Sequence, residues 1–303
     1  MTASWRDIFD DAFLRRLERL RLAGKRAWRL TADGSHVSRS PGGSAEWIGH
    51  RDYAAGDDTR FIDWPYYARM KKLLLRVLSR SGRATALLLL DCSASMGAAE
   101  GKFRHALRVT AALAYAAMAQ QENVILQPLG EGALPPLRAG TNRQTLPAAL
   151  EFLAGLSCGG RLDLPACARQ LRDQNRLPAH GAIILISDLL AMEPPDGRNV
   201  LSRCLSALGT EARRAVLHVF TPREAQPLLR GAMTLEDAET GLELPAVIDE
   251  PALAAYKQGW RRWIDGCRRA CRAAGADYWP APADAPLDGL ILDVLRRLNY
   301  VGR

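Results

Sequence analysis

Two continuous apolar runs, each closed by an aspartate, constrain this chain more than any other feature: TALLLL before Asp91 and AIILIS before Asp188. A strand with one wet face alternates polar and apolar residues, whereas a run apolar at every position suits a strand buried on both faces, which is the situation of a parallel sheet covered by helices. Further strands are expected at Val124–Leu129, at Ala215–Phe220 and near Tyr278, with a short hairpin over Ala232–Val247. Helical spacing covers Lys102–Gln121, Gln144–Leu156, Leu164–Arg176, Arg198–Leu208, Ala252–Ala274 and Gly289–Leu298. Strands alternating with helices predict an α/β fold, a doubly wound and mostly parallel sheet. No internal repeat or low-complexity segment interrupts it.

Upstream of this pattern, Phe9–Ala27 places Phe13, Leu14, Leu17 and Leu20 at helical spacing among arginines, and predicts an amphipathic helix that packs on its own domain. The Gly, Ser and Pro of Ala32–Gly49 predict a loop or irregular hairpin, and Lys71–Leu78 a strand leading to a turn at Ser81-Gly82. We therefore expect residues 1–81 to form an N-terminal extension packing on the core, and residues 82–303 the main domain. Charge divides the same way. Of 41 Lys and Arg against 33 Asp and Glu, net +8, residues 1–81 carry 16 against 10 and the rest 25 against 23. A basic surplus suits nucleic acid, an anionic membrane or an acidic protein partner. The longest apolar runs, such as Ala111–Ala119, fall far short of the ~20 residues of a membrane span, and the N-terminus lacks the order of a signal peptide. Six scattered cysteines suit a reducing compartment, so we expect a cytoplasmic protein with plain buried thiols. Cys267 and Cys271 lie four apart on a predicted helix, but no other well-spaced ligand completes a zinc set. His105 and His218 read as packed residues.

In open α/β sheets, ligands bind outside the carboxyl ends of the strands. There Asp91, Ser93 and Ser95 present a carboxylate and two hydroxyls at alternate positions, a spacing that lets one tight loop converge three oxygens. Asp188, at the end of the second run, offers another carboxylate. Hard cations such as Mg²⁺ take oxygen ligands and retain several waters, so this set suits Mg²⁺, with Mn²⁺ or no metal as the alternatives. Ser187, just before Asp188, is a candidate for a further hydroxyl at the same site, although strand alternation points its side chain the other way.

The constellation resembles the metal-ion-dependent adhesion site of von Willebrand factor A domains, whose D-x-S-x-S is matched by Asp91, Ser93 and Ser95 and whose late aspartate is matched by Asp188. Where that family carries G-G-T-D-L, this chain reads Gly159-Gly160-Arg161-Leu162-Asp163-Leu164, so Leu162 replaces an expected threonine and Arg161 adds a positive charge beside it. Thr141 and Thr145, in the preceding loop, are candidate substitutes for that hydroxyl. Farther upstream, Arg51, Tyr53, Gly56, Asp57, Asp58, Arg60, Ile62, Asp63, Trp64 and Arg69 resemble the R-x-Y-x-x-G-D-D-x-R-x-I-D-W…A-R signature of domain-of-unknown-function family 58, strongest over residues 46–97. The later DAETG, Asp237–Gly241, resembles that family's C-terminal part. Alternating Arg and Asp in the signature suit ion pairs that pin an irregular loop as a structural clasp, with a docking surface for a partner as the alternative; Gly56 suits a positive-φ turn, and Trp64, Tyr66 and Tyr67 read as core, or as part of that docking surface.

The resemblance implies a von Willebrand factor A-like protein-interaction module rather than an enzyme, in which the metal keeps one position open for an acidic group of a partner. It also implies a MoxR-type AAA+ ATPase as that partner. A metal-independent scaffold is the alternative. A phosphatase-like hydrolase wants a second carboxylate two residues after Asp91, where Ser93 stands, and SASMG is not a G-x-S-x-G elbow. A nucleic-acid binder wants a basic run or a recognised motif, and the chain carries neither.

Overall fold

The computed structural model describes residues 5–28, 45–53, 59, 62–80, 84–132, 134–190 and 200–297. Its elements begin with α1 (Trp5–Ile8), α2 (Asp11–Trp28), β1 (Ala45–Asp52), α3 (Trp64–Met70) and β2 (Leu74–Arg80). They continue with β3 (Thr85–Asp91), α4 (Ala94–Gly97), α5 (Lys102–Ala119), β4 (Asn123–Leu129), β5 (Leu137–Gly140), a 3₁₀ turn (Arg143–Thr145), α6 (Leu146–Ala154), α7 (Leu164–Asp173) and β6 (Gly181–Ser187). The remainder is α8 (Val200–Ala207), β7 (Arg213–Phe220), α9 (Pro222–Ala225), β8 (Gly231–Glu236), β9 (Glu243–Ile248), α10 (Glu250–Ala273), β10 (Asp277–Pro282) and α11 (Leu287–Arg297).

The chain divides into two compact units, residues 1–31 with 85–303 and residues 32–84. In the larger unit, six strands run in the order β10-β7-β6-β3-β4-β5, all parallel except β5, which pairs antiparallel with β4 at the edge. The fold is α/β, as the two apolar runs predict. Those runs are adjacent strands, and their alternate residues feed two cores. Leu88, Leu90, Ile184 and Ile186 face one core with α5 and α11. Leu87, Leu89, Ile183 and Leu185 face the other with α7, α8 and α10. Each fully buried leucine or isoleucine contributes about 1.5–3 kcal/mol relative to exposure, which is why Leu87–Leu90 and Ile183–Ile186 hold no polar residue. The hairpin β8–β9 forms its own two-stranded sheet.

Residues 5–28 belong with this sheet rather than with the rest of the expected 1–81 extension. The apolar stripe of the first helices is the reason: Phe9, Phe13 and Leu17 are buried in the core that α5 and α11 cover. Asp10 tightens the junction, accepting from Phe13 N at 2.7 Å and pairing with Arg108 at 2.8 Å.

The smaller unit pairs β1 with β2 in antiparallel register around a bulge between Trp47 and Gly49. Ile62 bridges Leu75, and both are buried with Leu74. Residues 45–49, expected as loop, are the first half of β1. Asp63 caps α3, its Oδ1 accepting from Tyr66 N at 3.0 Å, and Lys71 ends that helix in the left-handed region. Arg69 reaches back to Pro65 O. Tyr53 is half-buried and its N–H donates to Leu73 O. Trp64 corrects the expectation of a core residue: it is 56% exposed at the start of α3, where a short helix presents its first turn to solvent. Gly56, Asp57, Asp58, Arg60 and the Ser81-Gly82 turn lie outside the described residues, and Arg51 is described only as a strand position opposite Leu75. Among the described residues no helix is long and apolar enough to cross a membrane.

Candidate functional site

The end of β3 is the most constrained point of the sheet. Asp91, Ser93 and Ser95 are all buried. Ser93 N donates to Asp91 Oδ1 at 2.8 Å, and Ser93 Oγ lies 3.0 Å from Ser95 Oγ, so the alternate spacing does converge these oxygens in one turn. Backbone bonds hold the turn from outside: Cys92 N donates to Leu129 O, Ala94 N to Gly160 O and Gly159 N to Cys92 O. Gly160 is required there. Its φ is +65°, and an added Cβ would fall 2.7 Å from Glu131 Cβ.

The neighbouring strand ends close the other side. The register that pairs Leu89 with Leu185 and Leu90 with Ile186 sets Asp91 beside Ser187. Ser187 Oγ donates to Asp91 Oδ2 at 2.5 Å and accepts from Leu189 N at 2.9 Å. This corrects the expectation that Ser187 points away. Alternation relates Ser187 to Asp91 on one sheet face, whereas Asp188 already lies beyond the strand and reaches over the sheet's end. Leu189, buried at φ 57°, carries the left-handed strain of that sharp exit.

Asp188 does not face Asp91 alone. Lys102, fully buried at the first position of α5, donates from Nζ to Asp188 Oδ2 at 2.7 Å and to Glu224 Oε1 at 2.6 Å. Asp188 Oδ1 accepts from Leu190 N. Glu224 belongs to a capping box after β7: its Oε2 accepts from Thr221 N at 2.6 Å and from Thr221 Oγ1 at 2.9 Å, and Glu224 N donates to Thr221 Oγ1. Neither Lys102 nor Glu224 figures among the residues picked out by sequence. A signal existed for each: a lysine opening a helix immediately after D-x-S-x-S, where the helix dipole disfavours a cation, and a T-x-x-E immediately after an apolar strand.

Electrostatics separates the two aspartates. Burial pushes the Asp91 carboxyl up to about 6, with the charge of Asp188 adding to it and hydrogen bonds from Ser187 and Ser93 opposing it. Burial alone would lower the Lys102 ammonium, but Asp188 and Glu224 more than reverse this and its pKa is raised. At the rim, Glu239 in the β8–β9 turn is half-buried, and burial, then Asp91 and Asp188, hold its carboxyl above the usual range while Arg161 opposes them. Asp237 Oδ1 gathers that turn, accepting from Glu239 N and from Thr240 N and Oγ1.

The loop before α7 supplies backbone but no side-chain oxygen. Leu162 is buried in the core beneath, Arg161 is exposed, and Asp163 caps α7 by accepting from Ala166 N at 2.8 Å. Thr145 Oγ1 is spent on Ala139 O and Asn142 O. The donor set therefore fits a hard cation at the Asp91, Ser93 and Ser95 corner, where a buried carboxylate has only neutral donors and two hydroxyls stand beside it. It fits less well at Asp188, which already holds an ammonium.

The hydroxyls of Ser93 and Ser95 pair with each other, and the Ser93 side chain also hydrogen-bonds the Asp91 carboxylate. Burial pushes the thiols of Cys92 and Cys158 up to about 12, away from the reactive thiolate. His218 is buried among Phe220, Trp260, Trp263 and Tyr278, with Nδ1 2.7 Å from Tyr278 Oη. Cys267 and Cys271 are buried in the second core, and no three His, Cys, Asp or Glu side chains among the described residues form a metal cluster.

A family model described as "Protein of unknown function DUF58" matches residues 49–262. An uncharacterized protein of Mycobacterium tuberculosis strain H37Rv is 28% identical over 275 residues, covering 86% of this chain and 84% of its own. Among solved structures, an aerotolerance-related membrane protein from Bacteroides fragilis, solved with multiple mutations to serines, is 15% identical with a TM-score of 0.45, covering 72% of this chain and 100% of that one. A von Willebrand factor type A structure from Catenulispora acidiphila is 20% identical with a TM-score of 0.35, covering 63% of this chain and 43% of its own.

Proposed function

The chain belongs to the DUF58 family, and from that premise we propose that it is a non-enzymatic protein-interaction module in the cytoplasm, which receives an acidic group of a protein partner at the end of β3. The observation that carries this reading is the state of Asp91: a buried carboxylate with neutral hydrogen-bond donors only, beside the hydroxyls of Ser93 and Ser95. Those three residues would hold a divalent cation, Mg²⁺ by preference. When bound, it supplies positive charge and an open coordination position for a carboxylate.

The chain's own residues prepare the site. Backbone bonds from the Gly159-Gly160 loop and from Leu129 keep the turn from relaxing, and Ser187 orients Asp91. Arg161 and Glu239 form a rim of mixed charge that an incoming acidic segment must pass. The partner we favour is a MoxR-type AAA+ ATPase, the class implied by the family resemblance. The test is capture of a purified ATPase of that class by the intact chain. We expect capture in Mg²⁺, lost in chelator and lost in the double variant Asp91→Ala, Ser93→Ala. Unchanged capture in chelator would refute the metal-dependent reading. One observation favours a second reading, a metal-independent scaffold: the Lys102 ammonium is already a cation among these carboxylates.

A further inference from the structure

Lys102 sits where a lysine is expensive. Its side chain is fully buried, and it opens α5, an 18-residue helix whose N-terminal dipole repels cations. Gly101, at φ 78°, turns the chain into that helix without a side-chain cap, so nothing at the helix end itself favours an ammonium. Two carboxylates from two other strand ends compensate it, Asp188 after β6 and Glu224 after β7, at 2.7 and 2.6 Å. Glu224 is in turn held by Thr221 through the capping box, so the acceptor is placed before the ammonium arrives. The arrangement is a built cation site whose cation is part of the chain.

We propose that Lys102 is the resident cation of Asp188, so that Asp188 is not a direct metal ligand in this protein and a divalent cation is held from the Asp91 side only. The reason is charge crowding. A divalent ion bound directly to Asp188 would share one small carboxylate with an ammonium, in a buried environment where like charges repel far more strongly than in water. Leu162 adds no oxygen to relieve this. Lys102 thus sets the metal affinity of the site: it cancels one of the charges that would otherwise attract a divalent ion, and keeps binding weak enough to be governed by the partner's carboxylate. Lys102 acts through Asp188 and is a positioning residue. The inference rests on the reading of Asp91, Ser93 and Ser95 as the metal corner.

The experiment is calorimetry of the full chain with Mn²⁺ and Mg²⁺ alone, together with the chelator sensitivity of the melting temperature. In the wild type, Asp91→Asn takes binding beyond detection, whereas Asp188→Asn weakens it no more than about tenfold, the range of a residue outside the coordination shell. Lys102→Met is expected to bind Mn²⁺ at least about tenfold more tightly and to gain a melting temperature that falls in chelator, because Asp188 and Glu224 are released to attract the ion. If Lys102→Met does not fold, Lys102→Gln, which keeps a donor on Asp188, carries the same comparison. Loss of binding in Asp188→Asn as complete as in Asp91→Asn overturns the proposal, as does unchanged or weaker binding in the Lys102 variants. A wild type that binds neither ion sinks the metal reading of the previous subsection. In that case the Lys102 variants still decide: gained, chelator-sensitive binding upholds the resident cation, and none overturns it.

Discussion

At the end of β3, Asp91 is buried among donors that carry no charge. At the end of β6, one strand away, Asp188 is buried against an ammonium. Both follow continuous apolar runs, both lie at the switch of a parallel sheet, and in the sequence they are equivalent. The difference comes from what approaches each from outside the strand. Among the described residues, hydroxyls and a backbone N–H donate to Asp91, while the start of α5 delivers Lys102 to Asp188. One carboxylate is therefore charge-compensated from within the chain, and the other is held by neutral donors.

The largest expected effect comes from breaking the charge-compensated end. Lys102→Met leaves the buried Asp188 and the partly buried Glu224 without their ammonium, and should cost about 3–5 kcal/mol in denaturant unfolding. A loss below 1 kcal/mol would mean that the pair contributes no stability. An effect of similar size comes from His105, one turn after Lys102 on α5. Burial, then Arg108, lowers its pKa to about 4 from an ordinary 6.5, with Asp284 opposing. The folded state therefore favours the neutral ring, so its contribution is complete above pH 6.5 and about 3 kcal/mol is lost as pH falls from 6.5 towards 4. His105→Gln should flatten that part of the pH–stability curve, and an unchanged slope would assign it elsewhere.

Smaller changes sharpen the contrast. Glu224→Gln removes one of the two carboxylates on Lys102 but leaves Asp188, and should cost about 2 kcal/mol by thermal or denaturant unfolding. Asp91→Asn should act with the opposite sign. Without metal it removes a buried charge that only neutral donors support, and should stabilise the chain by about 1 kcal/mol at neutral pH. If Asp91→Asn destabilises as much as Lys102→Met, the two ends are not different in kind.

The contrast also marks where the sequence was legible. The runs ending at Asp91 and Asp188 predict the sheet because burial on both faces leaves no other explanation for four successive leucines, and the alternate oxygens of Asp91, Ser93 and Ser95 predict their own convergence because they are neighbours in the chain. Lys102 meets Asp188 across 86 positions and Glu224 across 122, and no local pattern records such a meeting. Ser187 is legible only through its neighbour: alternation along its own strand points it away from Asp188, whereas the register with β3 sets it beside Asp91. The edge strand Leu137–Gly140 and the strand Ala45–Asp52 escape for a different reason: one is only four residues long and the other is rich in polar residues, so neither carries a long apolar run.

The first helices carry a further consequence. Phe9, Phe13 and Leu17 complete a core that also contains Leu287, Ile291, Val294 and Leu295, and α2 packs on α11. Phe9 and Leu287 lie far apart in the chain, so at roughly 5–20 residues synthesised per second the earlier helix stays without its seat for some tens of seconds. For that interval the nascent protein displays an amphipathic, arginine-rich segment that a chaperone can hold. The core around Phe9, Phe13 and Leu17 closes only once α11 has left the exit tunnel.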